Sequence, residues 1–230
     1  MGLAQEKEVR LFDTWTDSYD SWFQTPIGGL IKEYETNVLL AMLEPGENEL
    51  ILDVGCGTGI FTSEILARGA MIHGLDLSYP MLEKAQARLH RFGFQGVVGH
   101  MHHLPFVDES FDKVYSMTAV EFVSDAALAI RELERVTRKN GRIVMTTLNR
   151  LSPWAERRIK KGRAGHSLFK HMTFRSPDDL KQLIPHYSEL RTAIHFAKDE
   201  KLERAQELEQ QGMRREDVTG AFIAISWDKP

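Results

Sequence analysis

Three glycines alternate with other residues behind an acidic residue in the stretch DVGCGTG, which runs from Asp53 to Gly59. The apolar run ELILDV (49–54) before the loop predicts a buried strand, and the pattern over 60–68 predicts a helix after it. Glycine lets a backbone turn tightly and approach a ligand closely. Ligands of parallel sheets bind beyond the carboxyl ends of the strands, so this loop predicts a nucleoside-binding site.

The spacing of the glycines separates two nucleoside ligands. A dinucleotide-binding loop reads G-x-G-x-x-G, and its third glycine lets the helix approach the strand beside a pyrophosphate. Here Gly55, Gly57 and Gly59 give G-x-G-x-G, and Ile60 stands where that third glycine would be. Asp53 is unfavourable beside a pyrophosphate but suits the cationic amino-acid end of S-adenosylmethionine (AdoMet), directly or through water. The loop therefore favours AdoMet over NAD.

A second carboxylate ends the next predicted strand. Asp76 lies in GLDLS, where an acidic residue accepts hydrogen bonds from both ribose hydroxyls of a nucleoside. NAD and AdoMet share that ribose, so Asp76 alone does not distinguish them. Its other possible role is to cap the following helix, but Ser78 already provides a plausible N-cap.

Strands and helices alternate around these two carboxylates. Residues 1–44 are predicted to be mostly helical. In the rest of the chain, the alternation of strands and helices predicts right-handed crossovers and a parallel sheet. Strands are predicted at 49–54, 70–77, 96–100, 111–117, 142–148, 189–197 and 221–227, and helices at 60–68, 78–93, 124–141, 176–184 and within 198–217.

Two longer stretches carry a family resemblance. LDVGCGTGIFTSEILARGAMIHGLDLSYPMLEKAQARL, from Leu52, and HHLPFVDESFDKVYSMTAVEFV, from His102, resemble the class I AdoMet-dependent methyltransferases. The nearest branch acts on small molecules and includes ubiquinone/menaquinone C-methyltransferase-like proteins. The resemblance implies a three-layer α/β sandwich with a mostly parallel seven-stranded sheet whose last strand is antiparallel. It also implies one domain over 1–230, with a helical cap (1–44), a cofactor-binding core (49–148), a substrate lid (150–186) and a C-terminal strand pair (187–230).

The family pattern assigns cofactor contacts to residues of four loops. These would be Gly55, Cys56 and Gly57 under the methionine part, Asp76 on the ribose, Leu77, Met81, His100 and Met101 around the adenine, and Met117 and Thr118 near the methionine and the substrate. In this family an N-terminal aromatic segment often closes over the cofactor, which makes Tyr19 and Trp22 in DSYDSWFQTPIGG (17–29) candidates. Aromatic faces attract the positive charge of a sulfonium. The alternative role of this segment is to anchor the N-terminal helix on the sheet.

His100 departs from the family, which often has Asp-Ala where this chain has His100 and Met101. A neutral imidazole accepts a hydrogen bond through one nitrogen and loses that ability when protonated. The histidines at 73, 100, 102 and 103 also raise the question of a metal. No acidic residue or cysteine stands at a supporting spacing, so we expect no metal site.

Residues 150–175 carry eight basic residues and one acidic residue, in a chain of net charge −4. The stretch follows the fifth strand, where related enzymes have part of a lid. It is interpreted as a site for an anionic substrate, as a contact for RNA phosphates or as a solvated helix face. If the acceptor must lose a proton, the candidate general bases are Tyr19, Glu121, His166 and His171.

The reaction that the resemblance implies is methyl transfer from AdoMet to a small molecule, with S-adenosylhomocysteine (SAH) as product. The (D/N/S)-P-P-(Y/F) signature of many DNA, protein and RNA amino-methyltransferases is absent, and SMTAVEF (116–122) stands in its place. An RNA methyltransferase, a non-catalytic AdoMet-binding protein and an NAD-dependent oxidoreductase remain as alternatives.

Composition sets the remaining expectations. The chain has 230 residues and one cysteine, which excludes an internal disulfide. The N-terminal MGLAQEKEVR lacks the apolar region of a signal peptide, and no apolar run is long enough to span a bilayer. We therefore expect a soluble, cytoplasmic protein without a membrane span.

Overall fold

A sheet in the order β3-β2-β1-β4-β5-β7-β6 runs through the computed structural model, which describes residues 12–13, 15–166 and 168–230. Its strands are β1 (Leu50–Val54), β2 (Met71–Asp76), β3 (Gln95–Val98), β4 (Phe111–Ser116), β5 (Thr137–Leu148), β6 (Glu189–Ala193) and β7 (Phe222–Asp228). β7 runs antiparallel to both of its neighbours, and the other pairs are parallel. The predicted seven-stranded, mostly parallel sheet with an antiparallel last strand is confirmed.

Helices cover both faces of the sheet. They are α1 (Thr16–Phe23), α2 (Pro26–Leu43), α3 (Thr62–Leu66), α4 (Tyr79–Leu89), α5 (Ala126–Val136), α6 (Pro153–Arg163), α7 (Pro177–Leu183) and α8 (Leu202–Arg214). Ser78 caps α4 as predicted, because its side chain accepts a hydrogen bond from the Met81 N–H. Within the described ranges, no helix combines the length and apolarity needed to cross a membrane.

Strand alternation divides the core into two layers. In β1, Ile51 packs into the layer under α2, α3 and α4, whereas Leu52 and Val54 pack into the layer under α5 and α7. β5 follows the same alternation, with Val144 in the first layer and Ile143 in the second. Strands buried on both faces explain the uninterrupted apolar runs in the sequence.

The reversal of strand order lies between β1 and β4, which are neighbours in the sheet although β2 and β3 separate them in sequence. Connections from these two strands diverge to opposite sides and leave a crevice at their carboxyl ends. The loops 55–61 and 117–119 therefore open onto this crevice.

The predicted boundary between the helix before β5 and β5 itself was wrong. The helix predicted over 124–141 ends at Val136, and β5 begins at Thr137. The Thr137 hydroxyl donates to the Leu133 carbonyl, and Thr137 pairs with Phe111 of β4. An added Cβ at Gly141 would lie 2.5 Å from the Asp112 carbonyl oxygen, so the glycine in KNG allows two strands to approach rather than ending a helix.

The N-terminal cap is described from Phe12 onward. Residues 1–11, which include the whole N-terminal stretch MGLAQEKEVR, lie outside the described residues. From Pro26, α2 continues to Leu43, and Glu44 ends it in a left-handed conformation.

Candidate cofactor and acceptor site

The glycine loop bends sharply from the end of β1 toward β2. Gly55 and Gly57 have φ values of 79° and 54°, which disfavour residues with a side chain. The N–H groups of Gly55 and Cys56 both donate to the Leu75 carbonyl, at 2.7 and 3.0 Å. An added Cβ at Gly55 would lie 2.4 Å from the Ala119 Cβ, whereas one at Gly57 would meet no atom within 4 Å. Gly57 therefore faces open space at the crevice.

Asp76 holds this loop from the end of β2. One carboxylate oxygen accepts from the Gly57 N–H at 2.8 Å, and the other accepts from the Ser78 N–H at 2.9 Å. A carboxylate has about four lone-pair sites, so both oxygens retain capacity for further donors. Asp76 is half-buried, and burial raises the pKa of its carboxyl although the backbone bonds oppose this effect. Its position suits the acceptance of two ribose hydroxyls.

Asp53 lies directly beneath the loop and is buried. Its Oδ2 accepts from the Tyr115 hydroxyl at 2.6 Å and from the Thr62 hydroxyl at 2.7 Å. Its Oδ1 is buried with no hydrogen-bond partner among the described residues. Burial raises the pKa of Asp53 to about 7. A buried oxygen without a donor is a place where a cationic group, or a water molecule that bridges to one, is stabilised.

Helix α1 is tied to the glycine loop. The Thr58 hydroxyl donates to Asp20 Oδ1 at 2.6 Å, and Arg88 of α4 donates to Asp20 Oδ2 at 2.6 Å. Arg88 also donates to the Thr58 hydroxyl at 2.9 Å. We call these three residues the clasp. A fourth contact supports it, because the Ser78 hydroxyl donates to Asp13 Oδ1 at 2.7 Å.

The adenine-side residues surround a tight turn after β3. The Nδ1 atom of His100 accepts from the His102 N–H at 3.0 Å, and the His103 N–H donates to the His100 carbonyl. That Nδ1 atom is therefore occupied within its own turn. Met101 is buried, with its Cε 4.0 Å from the Cβ position at Gly55. Met81 is also buried, Leu77 is half-buried, and no cluster able to hold a metal ion occurs in the described part of the chain.

A cavity of about 860 Å³ lies between α1, α2 and the segment that follows β5. Thr118 contributes to its wall at the end of β4, with a strained φ of 44° that its N–H bond to the Thr146 hydroxyl supports. Met117 is buried next to it and accepts from the same hydroxyl at 3.5 Å. Aromatic side chains form much of the remaining wall, namely Trp15, Tyr19, Trp22, Phe23, Phe122, Trp154 and Phe169.

Basic side chains outnumber carboxylates in the lining of this cavity. Five basic residues line it, namely Arg157, Arg158, Lys160, Lys161 and Lys198, and Glu35 is the one carboxylate among its described lining residues. Two of the cations lie over indole rings. Arg158 is 5.4 Å from the centre of the Trp154 ring, and the Lys198 ammonium is 4.4 Å from that of Trp22.

The four candidate bases lie in different surroundings. Tyr19 and His166 line the cavity, whereas His171 is exposed and is not among the lining residues. Burial, followed by the carboxylates of Glu35 and nearby aspartates, raises the pKa of Tyr19. Glu121 is fully buried behind the wall, where its Oε1 accepts from the Leu148 N–H and its Oε2 has no described partner. Burial raises the pKa of Glu121 to about 7.

A family model described as a methyltransferase domain matches residues 52–145, the segment that contains the glycine loop, Asp76 and the end of β4. Residues 52–145 are therefore similar to methyltransferase domains. The malonyl-[acyl-carrier protein] O-methyltransferase of Erwinia pyrifoliae is 41% identical over 110 residues, which are 48% of this chain and 41% of that protein. The demethylmenaquinone methyltransferase of Thermotoga maritima is 35% identical over 150 residues, 64% of each chain.

The whole chain shares its fold with solved methyltransferase structures. A Thermotoga maritima AdoMet-dependent methyltransferase, a possible histamine N-methyltransferase, superposes with a TM-score of 0.75 at 21% identity and covers 97% of this chain and 100% of its own. The chain spans only about half the length of the curated relatives it matches, from 41% to 64% in the examples above. The similarity therefore covers the segment that the family model matches and the fold.

The residues around this domain fit AdoMet. Gly57 faces open space beside Asp76, and the unpartnered Asp53 oxygen lies beneath the loop. Together they provide acceptors for a ribose and for a cationic amino-acid end, with no side chain at Gly57 to obstruct them.

Sequence reasoning missed the residues that connect the cap and the lid to the methyltransferase domain. Asp20, Thr58 and Arg88 carry no motif that points to the clasp. Glu35 did offer a signal, because it lies four residues after Ile31 on the buried face of α2. Arg158 was included in the basic stretch but could not be separated from its exposed neighbours.

Proposed function

We propose that the protein is an AdoMet-dependent methyltransferase that acts on a small molecule. The observation that carries this proposal is the junction between the glycine loop and the cavity. Gly55 packs against Ala119, the neighbour of the cavity residue Thr118, and Tyr19 lies in the cavity wall next to the clasp residue Asp20. A ligand on the loop and a ligand in the cavity would therefore meet near Thr118 and Tyr19.

The proposed cofactor contacts follow the geometry of the loop. Gly55, Cys56 and Gly57 would pass under the methionine part, Asp53 would stabilise its ammonium group, and Asp76 would accept from the ribose. Leu77, Met81 and Met101 would pack around the adenine, and His100 would lie at its edge. The curated relatives are named as methyltransferases, and a structural neighbour contains SAH, which supports this choice of ligand.

When bound, AdoMet supplies a methyl group made electrophilic by its sulfonium. The protein would contribute alignment and exclusion of water, which are together worth about 7–11 kcal/mol in well-oriented reactions. In this proposal the cap over 1–44 closes the cofactor side through the clasp, and the lid over 150–186 encloses the acceptor. Tyr19 and Trp22 would line the passage between the two ligands.

The charge of the cavity favours an anionic acceptor, because five basic residues and one carboxylate line it. Seven aromatic side chains line the same cavity, which favours a small acceptor with an apolar body. The two curated relatives carry names of small-molecule or carrier-bound acceptors.

Calorimetry with the purified chain tests the proposal. We expect saturable binding of SAH and AdoMet and no binding of NAD. Incubation with methyl-labelled AdoMet and a set of aromatic and aliphatic acids should then yield SAH above the rate without acceptor. Binding of NAD without binding of SAH would contradict the proposal, and tight SAH binding with no turnover on any acid would favour a non-catalytic AdoMet-binding protein.

A further inference from the structure

Arg158 is a cation in the cavity that forms no ion pair with another described residue. It lies on α6, it is half-buried, and its guanidinium packs on the Trp154 ring at 5.4 Å. Among the described residues, no acceptor hydrogen-bonds with it. Arg157, an exposed residue of the same lining, in contrast pairs with Asp199. Guanidinium N–H groups without acceptors cost free energy unless water or a ligand satisfies them.

Two carboxyl groups lie near Arg158 without bonding to it. The carboxylates of Glu35 and Glu121 both favour its charged form, although burial lowers the pKa of the guanidinium. Burial raises the pKa of Glu35 to about 8 and that of Glu121 to about 7. Glu35 is therefore mostly protonated at neutral pH, and the positive charge of Arg158 is only partly compensated by its neighbours.

We propose that Arg158 is the anion-binding centre of the cavity and that it takes a carboxylic acid with a planar, aromatic body. A guanidinium binds a carboxylate through two parallel hydrogen bonds, and such charge-assisted bonds are strong in a desolvated site. The rings of Trp22, Trp154 and Phe169 form apolar walls for the body of the ligand. Identifying this acid as the methyl acceptor rests on the proposed function, whereas its binding does not.

Glu35 gives the site a pH dependence. The groups that face it are Arg158 on α6, Glu121 behind the cavity wall and Tyr19 on α1. When the Glu35 carboxyl ionises, it competes with the ligand for Arg158 and repels a bound carboxylate. Affinity for the acid should therefore fall as the pH rises through about 8.

The experiment compares 1-naphthoate with neutral 1-naphthamide, which has a similar shape and no charge. Three of the four tryptophans line the cavity, so quenching of tryptophan fluorescence reports the binding of both probes. At pH 7 we expect naphthoate to bind at least about tenfold more tightly than naphthamide. Equal affinities, or no saturable binding of naphthoate at millimolar concentration, would overturn the proposal without any substitution.

Substitutions test which residue gives naphthoate its higher affinity. Arg158→Gln should reduce the affinity for naphthoate to that for naphthamide. Arg163→Gln, at an exposed position of the same helix outside the cavity lining, should leave both unchanged. Glu35→Gln should remove most of the fall in naphthoate affinity above pH 8. An unchanged pH profile in Glu35→Gln, or equal loss of both probes in Arg158→Gln, would refute the assignment.

Calorimetry with SAH on the same proteins keeps the two proposals separate. Retained SAH binding in Arg158→Gln shows that the variant is folded and that only the acid site has changed. Wild-type protein that binds naphthoate through Arg158 but ignores SAH would overturn the proposed function and leave the acid site standing.

Discussion

The Thr58 hydroxyl in the glycine loop donates a hydrogen bond of 2.6 Å to Asp20 Oδ1 in α1. The two residues belong to different parts of the fold, the cofactor loop and the N-terminal cap. Arg88 completes the clasp from α4, and Thr58 itself is fully buried. Helix α1 is therefore held against the loop, and we expect a ligand of that loop to exchange faster when the clasp is broken.

The first prediction concerns the clasp. Asp20→Ala removes the acceptor of both the Thr58 hydroxyl and the Arg88 guanidinium. Hydrogen bonds to charged groups contribute about 1.5–3 kcal/mol, and partial exposure of this pair places the effect at the low end. We expect SAH to dissociate about tenfold faster in stopped-flow experiments. As a control, Asp178→Ala removes an exposed carboxylate of α7 and should leave the rate unchanged. An unchanged rate in Asp20→Ala would show that the clasp has no influence on the loop.

The second prediction concerns Asp76. Asp76→Ala removes the acceptor proposed for the ribose and leaves the Gly57 N–H without its partner. We expect SAH binding to weaken at least about tenfold, or about 1.4 kcal/mol, in calorimetry. Asp125→Ala is the matched control, because Asp125 also accepts a backbone N–H at a helix start but lies on α5. Similar SAH affinity in the two variants would remove Asp76 from the site.

The strand-end carboxylate and the glycine loop could be predicted from sequence because their function depends on local spacing. A tight turn needs glycine wherever it occurs, and a buried parallel strand is a continuous apolar run. The parallel sheet also followed, since the alternation of strands and helices restricts the possible topologies. The helix that should have reached 141 shows the limit, because Gly141 is required by the Asp112 carbonyl of another strand.

The acceptor site could not be predicted in the same way. Glu35, Arg158 and Thr118 are separated by long stretches of sequence, and no local pattern connects them. Residues 150–175 read as uniformly basic, yet Arg158 faces the cavity while Arg163 is exposed. Only tertiary packing decides which cation of such a stretch turns inward. Roles of individual side chains toward the cofactor stay predictions until a ligand is measured.

The third prediction is a loss of stability as the pH rises. Burial raises the pKa values of Asp53 and Glu121 to about 7 and that of Glu35 to about 8, above those of the unfolded chain. The folded state then binds more protons than the unfolded state, so the free energy of unfolding falls between about pH 5 and 8. His195 also lowers the free energy of unfolding as the pH rises, because its pKa is raised in the folded state. Burial alone would lower its pKa, but its bonds to Glu209 and the Asp217 carbonyl raise it.

Urea unfolding at a series of pH values measures this slope. Glu121→Gln should flatten it, because an amide cannot ionise, whereas Glu207→Gln at an exposed position should retain it. Stability that is constant or rises from pH 5 to 8 in the wild-type protein would show that these carboxyls ionise without penalty.

The fourth prediction concerns Glu209, which organises the turn after β6. Its carboxylate accepts from the N–H groups of Ile194 and His195 at 3.0 and 2.7 Å and faces the His195 Nδ1 at 3.1 Å. Ile194 has a φ of 65°, which is strained for a β-branched residue. Glu209→Ala should therefore lower the free energy of unfolding by about 3 kcal/mol in urea titrations. Glu207→Ala on the exposed face of α8 should change it by less than about 0.5 kcal/mol, and an equal effect of both would contradict this role.

The last prediction separates two glycines of one loop. Gly55→Ala places a Cβ 2.4 Å from that of Ala119, so it must shift the backbone and should lower stability by about 3 kcal/mol or more. Gly57→Ala meets no atom within 4 Å and should cost only the about 1–2 kcal/mol of a left-handed alanine. Its methyl group would instead enter the space beside Asp76. Thermal unfolding and SAH calorimetry on both variants should therefore show Gly57→Ala as the more stable protein and still a weak binder. Full SAH affinity in Gly57→Ala would place the ligand elsewhere, because a cofactor lying on this loop has no room for the added carbon.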